Sequence, residues 1–220
     1  MPNVEFISLV HQKTKRDYLK RILEFPKAEA AKIAKKFDID YWDGDRKIGY
    51  GGYKYDGRWR IVAEKMAIQY GIKPGDKILD IGCGKGFLLY DFTQVVPGVD
   101  VVGIDISKYA IENGKEDVKS FLQVGNANSL PFADNSFDLV ISINTLHNLC
   151  CYDLDAALRE MQRVGKKNKY LCVESYRNED EKTNLLYWQL TCESFNMPEE
   201  WYWWFKHTGY TGDYEFIYFE

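Results

Sequence analysis

With 220 residues, 45% of them hydrophobic and 28% charged, the chain has the makeup of an ordinary globular protein, long enough for one well-buried domain with an appendage. A formal net charge of -4 argues against a surface built mainly to bind a phosphate backbone, so no nucleic-acid partner is expected. No charged and apolar leader opens the sequence and no apolar run approaches the roughly 20 residues that cross a bilayer, so a cytoplasmic protein with no membrane contact is expected.

In chain order, residues 27–37 place Ala and Lys at helical spacing, and residues 38–52 break that pattern with glycines and aromatics. The segment Tyr41–Trp59 holds five glycines, four tyrosines, two tryptophans and two arginines. It is too rich in glycine for a core and too aromatic for a spacer. It reads as a binding loop, with Tyr50, Tyr53, Tyr55, Arg58 and Trp59 as candidates to close over a site, and with Arg46 or Arg58 able to clamp a carboxylate or phosphate. The plainer reading is an Ω-like loop whose rings cover the edge of the domain. A helix follows over residues 57–70, with Ile61, Val62, Met66 and Ala67 on its apolar face.

Beyond the Pro74-Gly75-Asp76 turn, strands are expected at 77–81, 101–105, 121–124, 137–143 and 170–174, with helices at 87–95, 108–118 and 154–164 between them. The basic cluster Gly165–Lys169 reads as a solvated turn, and Asn178–Lys182 as a solvated loop. A helix at 199–205 and a strand at 214–219 close the chain. Trp201, Trp204 and Phe205 share one face of that helix, which suits core packing more simply than a cage for a cation. The pattern is α/β: a Rossmann-like, mostly parallel sheet with helices on both faces, a helical N-terminal leader and an aromatic C-terminal extension. Residues 1–56 form the leader and lid loop, and 57–220 the core domain. The five cysteines, Cys83, Cys150, Cys151, Cys172 and Cys192, are odd in number and lack C-x-x-C spacing. They read as reduced thiols, and with three histidines in the chain no metal site is expected.

The richest stretch is Leu79-Asp80-Ile81-Gly82-Cys83-Gly84-Lys85-Gly86, where an apolar run meets an acid and turns through alternating glycines into a helix. Gly82 and Gly84 let a bulky ligand approach the main chain, and Gly86 lets the helix begin close to the strand. A dinucleotide fingerprint would read G-x-G-x-x-G and receive a pyrophosphate. Here Asp80 makes the turn a poor host for phosphates and a good one for a cation. The next strand ends at Asp105, which can accept from both hydroxyls of a ribose.

These residues resemble the class I S-adenosylmethionine-dependent methyltransferases. Asp80–Gly86 is similar to that family's motif I, and Asp105 falls where its ribose-binding acid lies. Asn126-Ala127, then Pro131, then Asp134-Asn135-Ser136-Phe137-Asp138 leading into the fourth strand, follow the family's order. The resemblance covers roughly residues 57 to 175 and implies S-adenosyl-L-methionine as cofactor. It implies cofactor contacts from Asp80, Gly82, Cys83, Gly84, Gly86, Asp105, Ile106, Asn126, Ala127 and Asn144. Ile106 would pack on the adenine ring. Asn126 replaces the aspartate of many relatives, and its carbonyl still accepts from the adenine amine, with a somewhat weaker contact. His147 is the candidate general base; the alternative is that it packs at the start of the next helix.

The expected function is methyl transfer to a small polar metabolite or sugar-like acceptor. A protein or peptide methyltransferase, or a cofactor-binding scaffold subunit without turnover, are the alternatives. Exposed aromatics near both ends would suit a homodimer contact.

Overall fold

The computed structural model of the protein describes residues 1–11 and 17–220. Helices α1 (Ser8–His11), α2 (Tyr18–Glu24), α3 (Lys27–Ala34) and α4 (Ile39–Trp42) lead into α5 (Arg60–Tyr70). Strands and helices then alternate: β1 (Lys77–Ile81), α6 (Phe87–Val95), β2 (Asp100–Asp105), α7 (Lys108–Glu112), β3 (Leu122–Val124), β4 (Phe137–Ile143), α8 (Cys151–Val164) and β5 (Gly165–Glu174). After these come α9 (Glu179–Trp188), α10 (Pro198–Thr208) and β6 (Asp213–Ile217). The strands make one sheet in the order β3-β2-β1-β4-β5-β6, and every pairing is parallel.

Near-continuous apolar runs allow the central strands to be covered on both faces. Successive residues point to opposite layers. Ile78, Leu139, Tyr170 and Cys172 join a core with Val62 and Met66 of α5 and Leu89 and Phe92 of α6. Leu79, Val140, Leu171 and Val173 join a second core with Leu154 and Leu158 of α8 and Trp201 and Phe205 of α10. Trp201 and Phe205 are fully buried, so the aromatic stripe is core; Trp203 turns outward and stacks on His207 with ring centroids 4.7 Å apart.

Three elements differ from the sequence expectation. Gly165–Lys169 is the first half of β5 rather than a solvated turn, because its backbone pairs with β4 through an irregular register beside Phe137. Lys166 is tied to Asp138 at 3.1 Å, while Lys169 is buried, and that burial lowers its pKa. Asn178–Lys182 opens α9 instead of forming a loop: Asn178 caps the helix by accepting from the Glu181 amide at 2.9 Å. Its acids, Glu179, Asp180 and Glu181, occupy the first turn, where the helix dipole favours negative charge. Helix α7 stops at Glu112 because Asn113 and Gly114 end it, well short of residue 118.

The N-terminal residues complete the edge beyond β5. The Val4 amide donates to the Tyr214 carbonyl at 3.0 Å and the Tyr214 amide to the Pro2 carbonyl at 3.2 Å, along the outer side of β6. Buried Glu215 then accepts from the amides of Phe6 and Ser8 at 2.7 and 2.6 Å, and from the Tyr170 hydroxyl. A buried carboxylate needs such donors, and here they hold the start of α1 against β6. No helix among the described residues is long and apolar enough to cross a membrane.

Candidate active site

Strand order reverses between β1 and β4, and the crevice outside the strand ends at such a switch point is where α/β sheets bind ligands. The glycine turn after β1 sits there. Gly82 has φ +81°, and a Cβ on it would fall 2.0 Å from the Thr145 hydroxyl, so glycine is required both by conformation and by the segment that follows β4. At Gly86 a Cβ would press on Leu122 and Val118, which brings the start of α6 against β3.

Two buried acids flank this turn. Asp105 accepts from the Gly84 amide at 2.8 Å and from the Ser107 amide at 2.8 Å, so it fixes the turn while keeping lone pairs free for a ligand's hydroxyls. Burial raises its pKa, and these two amides oppose the rise. Asp80 at the tip of β1 is pushed up to about 7, first by burial and then by the negative charge of Asp105. A pair of acids held in this way gains from a cation or from hydroxyl donors. That is what the sulfonium and ribose of S-adenosylmethionine offer, so the residues fit the cofactor.

A crevice of about 180 Å³ continues from the turn. Its walls include Gly82, Asp105, Ile106, Asn126, Ala127 and Asn144, six of the residues expected to touch cofactor. Ile106 is 55% exposed, an apolar side chain left in a cleft where a flat ring can cover it. Asn126 accepts from the Asn128 amide at 3.2 Å, which shapes the turn after β3. Asp80, Cys83, Gly84 and Gly86 lie behind this wall: the Cys83 side chain packs into the core beside Gly103, and Gly84 lies beneath the loop aromatics. Asn144, at the end of β4, takes φ +52°, an uncommon conformation for a residue with a side chain and one that clusters at functional sites.

The aromatic loop forms a roof on the glycine turn. Trp42 donates to the Ser107 hydroxyl at 2.8 Å and stacks on Tyr50 with ring centroids 5.3 Å apart. A Cβ on Gly84 would lie 2.9 Å from the Trp42 ring. The next residue, Asp43, binds the ammonium of buried Lys85 at 2.7 Å and the Tyr109 hydroxyl at 2.8 Å, and Lys85 also donates to the Tyr53 carbonyl at 3.0 Å. The loop is thus bolted to motif I itself. Neither Lys85 nor Asp43 stood out in the sequence; a lysine between two of the motif's glycines and an acid inside the aromatic loop were the available signals.

Under the roof lies a second cavity of about 480 Å³. Tyr50, Tyr53, Arg58 and Trp59 line it, as do Arg46, Trp188 and Thr191. Tyr55 does not; its hydroxyl donates to Asp91 of α6 at 2.7 Å. Tyr41, Tyr50, Asn144 and Asn148 line both cavities, so the two spaces meet at the end of β4.

His147 and Glu174 form the floor. His147 is 1% exposed, and burial lowers its pKa to about 3, leaving it neutral. Its Nδ1 accepts from the Glu174 amide at 3.3 Å and its Nε2 faces Glu174 Oε2 at 3.4 Å. The lone pair that a histidine base would use is therefore engaged by the backbone, which disagrees with the base role considered from sequence and fits the packing alternative. Glu174, which ends β5, also accepts from the side-chain amide of Gln189. It had no assigned role in the sequence reading, although an acid closing an apolar strand is a visible signal.

An all-parallel sheet with an acid and a glycine turn after β1 and a second acid ending β2 defines a Rossmann-like, nucleoside-binding α/β protein. Residues 72–209 match the model of the methyltransferase domain family, and the chain belongs to that family, within the class I S-adenosylmethionine-dependent methyltransferases. Residues 14–129 also match the model of protein-L-isoaspartate(D-aspartate) O-methyltransferase. A demethylmenaquinone methyltransferase of Symbiobacterium thermophilum is 37% identical over 128 residues, 54% of this chain and 50% of that protein. The chain spans about half the length of the curated relatives it matches. Among solved structures, one from the complex between the Haloferax volcanii Trm112 methyltransferase activator and a methyltransferase has a TM-score of 0.57 at 20% identity, over 89% of this chain and 77% of that one. The YcgJ protein of Bacillus subtilis has a TM-score of 0.55 at 24% identity, over 66% of each chain. At these identities the likeness is one of fold.

Proposed function

We propose that this chain transfers a methyl group from S-adenosylmethionine to a small polar acceptor held under the aromatic roof. The observation that carries this reading is the junction of the two cavities at Tyr41, Tyr50, Asn144 and Asn148. One space has the acids that suit a nucleoside sulfonium, and the other is lined by rings and polar tips. The demethylmenaquinone methyltransferase relatives support a small-molecule acceptor.

Asp105 and the glycine turn would hold S-adenosylmethionine in the crevice, where it would supply an electrophilic methyl carbon on a sulfonium that leaves as a neutral thioether. Asp105 and the Gly84 amide orient the ribose side, and Asp80 offers negative charge towards the cationic end. Tyr50 and Asn144 hold the acceptor atom at the junction, and this alignment is the main catalytic contribution. Glu174 takes the proton from a hydroxyl or ammonium acceptor, and His147 positions Glu174. Trp42 and Tyr53 shield the glycine turn from water.

Calorimetric titration with S-adenosylmethionine and S-adenosylhomocysteine, followed by a methyl-uptake screen over sugars, carboxylates and amines, tests the reading. Micromolar binding of both ligands and uptake by one acceptor class are expected. Absence of binding, with and without candidate acceptors, sinks the reading and favours a scaffold. The match to the isoaspartate methyltransferase model favours a second reading, in which the acceptor carboxylate belongs to a peptide. Uptake by isoaspartyl peptides and not by small molecules would select it.

A further inference from the structure

The acceptor cavity has an unequal distribution of charge. Arg46, Lys54 and Arg58 line its loop side, whereas Glu174 lines its floor. A cationic mouth on a chain of net charge -4 runs against the overall balance.

The three cations are not equivalent. Arg58 is already paired side-on with Asp56, its Nε lying 2.8 Å from Oδ2. The same holds for the other arginines whose side chains are described: Arg60 pairs with Glu64, Arg159 with Asp155, Arg163 with Glu160 and Asp134, and Arg177 with Glu181 and Glu220. Arg46 alone among them forms no ion pair with a carboxylate among the described residues.

It is nevertheless held in place. Its Nη1 donates to the carbonyls of Gly49 at 3.0 Å and Tyr50 at 3.2 Å, and its guanidinium carbon lies 5.5 Å from the centre of the Trp188 ring. Both fixed contacts use one nitrogen. The Nε and Nη2 donors, which form the side-on fork that matches two oxygens of a carboxylate or phosphate, meet no acceptor among the described residues. A guanidinium oriented by its own loop and left with an empty fork on a cavity wall is preorganised for an anion.

We propose that the acceptor carries an anionic oxygen group, a carboxylate or a phosphate, that docks on the free fork of Arg46. The acceptor's other end then reaches the junction at Tyr50 and Asn144. Lys54 strengthens the field at the mouth, and Trp188 and Trp59 cover the acceptor's apolar body. This rests on the methyl-transfer reading above and specifies its substrate class.

The test uses the full chain, titrated with and without saturating S-adenosylhomocysteine. The probes are two matched pairs: 4-hydroxybenzoate against 4-hydroxybenzyl alcohol, and ribose 5-phosphate against ribose. The charged member of at least one pair is expected to bind about tenfold more tightly, roughly 1.4 kcal/mol, and the pair that discriminates identifies the group as carboxylate or phosphate. Arg46→Met should abolish that preference and leave S-adenosylhomocysteine affinity unchanged. Arg46→Lys keeps the charge without the fork and should restore only part of it. Equal binding within both pairs, or a preference that survives Arg46→Met, overturns the anion site while cofactor binding stands. Failure of S-adenosylhomocysteine to bind overturns the methyl-donor reading instead, a separate result in the same experiment.

Discussion

The crevice beside β1 and β2 is built on the ends of strands that pair with one another, with Trp42 and Tyr50 of the aromatic loop as its cover, whereas the cavity next to it is walled mainly by segments far apart in the chain. Ile81 and Asp105 are placed by sheet register, and Asn144, just past β4, is tied to the next strand through its amide, which donates to the Cys172 carbonyl at 2.9 Å. The cavity proposed for the acceptor instead gathers α1, the aromatic loop, the end of β5 and the segment after α9. Its geometry depends on side-chain bolts. The difference teaches that the half of the site expected to hold a common cofactor is fixed by the fold, and the half that would choose the acceptor is fixed by contacts a sequence can alter independently.

The comparison breaks most directly at Asp105. Asp105→Ala removes a ligand acceptor and also frees the Gly84 and Ser107 amides, so cofactor affinity should fall by about 1–3 kcal/mol, roughly five- to 150-fold, in calorimetry. Anion binding at Arg46 should be unchanged. If cofactor affinity is untouched, the ribose assignment is lost; if both sites fail, they are not separable in the way the geometry describes.

Lys85 tests the bolt between the halves. Burial works to raise the pKa of Asp43, but the hydrogen bonds from Lys85 and Tyr109 outweigh it and leave the pKa lowered. Lys85→Met should weaken cofactor affinity by about 1–2 kcal/mol and open residues 44–57 to proteases, because the roof loses its attachment to motif I. Combined with Asp43→Asn, the two losses should be strongly non-additive, since both remove one contact. Additive losses would show that the roof is held elsewhere.

A smaller effect is expected from Asp80. Its folded pKa is raised from 3.8 to about 7, so the native state holds a proton that the unfolded chain releases between those values. Its contribution to stability is present below pH 3.8 and is lost as the pH rises through 7. A bound cation reverses the preference. S-adenosylmethionine affinity should therefore rise several-fold from about pH 6 to 8, with proton release visible as a buffer-dependent binding enthalpy. S-adenosylhomocysteine, which lacks the sulfonium, should show a weaker trend, and Asp80→Asn should flatten both. An identical trend for the two ligands would place Asp80 away from the sulfonium.

How much of this was legible in the sequence follows the same division. Asp80, the glycines and Asp105 could be read because strand ends and turns are contiguous in the chain and demand particular residues. The parallel sheet covered on both faces follows from alternating strands and helices, while the order of its strands comes from the structure. Gly165–Lys169 was misread because pairing with β4 outweighs a local charge run, and Asn178–Lys182 because acids that suggest solvent are also what a helix N-terminus selects. Glu174 is harder for another reason: its place on the cavity floor depends on His147 and Gln189, and such distant pairings have no sequence pattern. Arg46 stands among the candidate clamps in the sequence, but that its fork stays open while that of Arg58 is taken depends on Trp188 and on Asp56.

Tyr55 marks where the roof ends and gives the smallest expected effect. In sequence it resembles Tyr50 and Tyr53, but its hydroxyl donates to Asp91, and that bond is the main cause pushing its pKa up to about 12. Asp91 is fully buried and has one oxygen without a partner among the described residues, so its carboxylate depends on the hydrogen bond from the tyrosine. Tyr55→Phe should cost about 1 kcal/mol of stability in denaturant unfolding, as expected for a lost hydrogen bond to a buried acid. It should leave cofactor affinity and the preference for anionic probes unchanged, because its ring packs on Phe87 and Tyr90 and not on the cavity. A shift in acceptor affinity with stability intact would extend the roof to residue 55 and make α6, which now only supports the cofactor turn, part of acceptor selection.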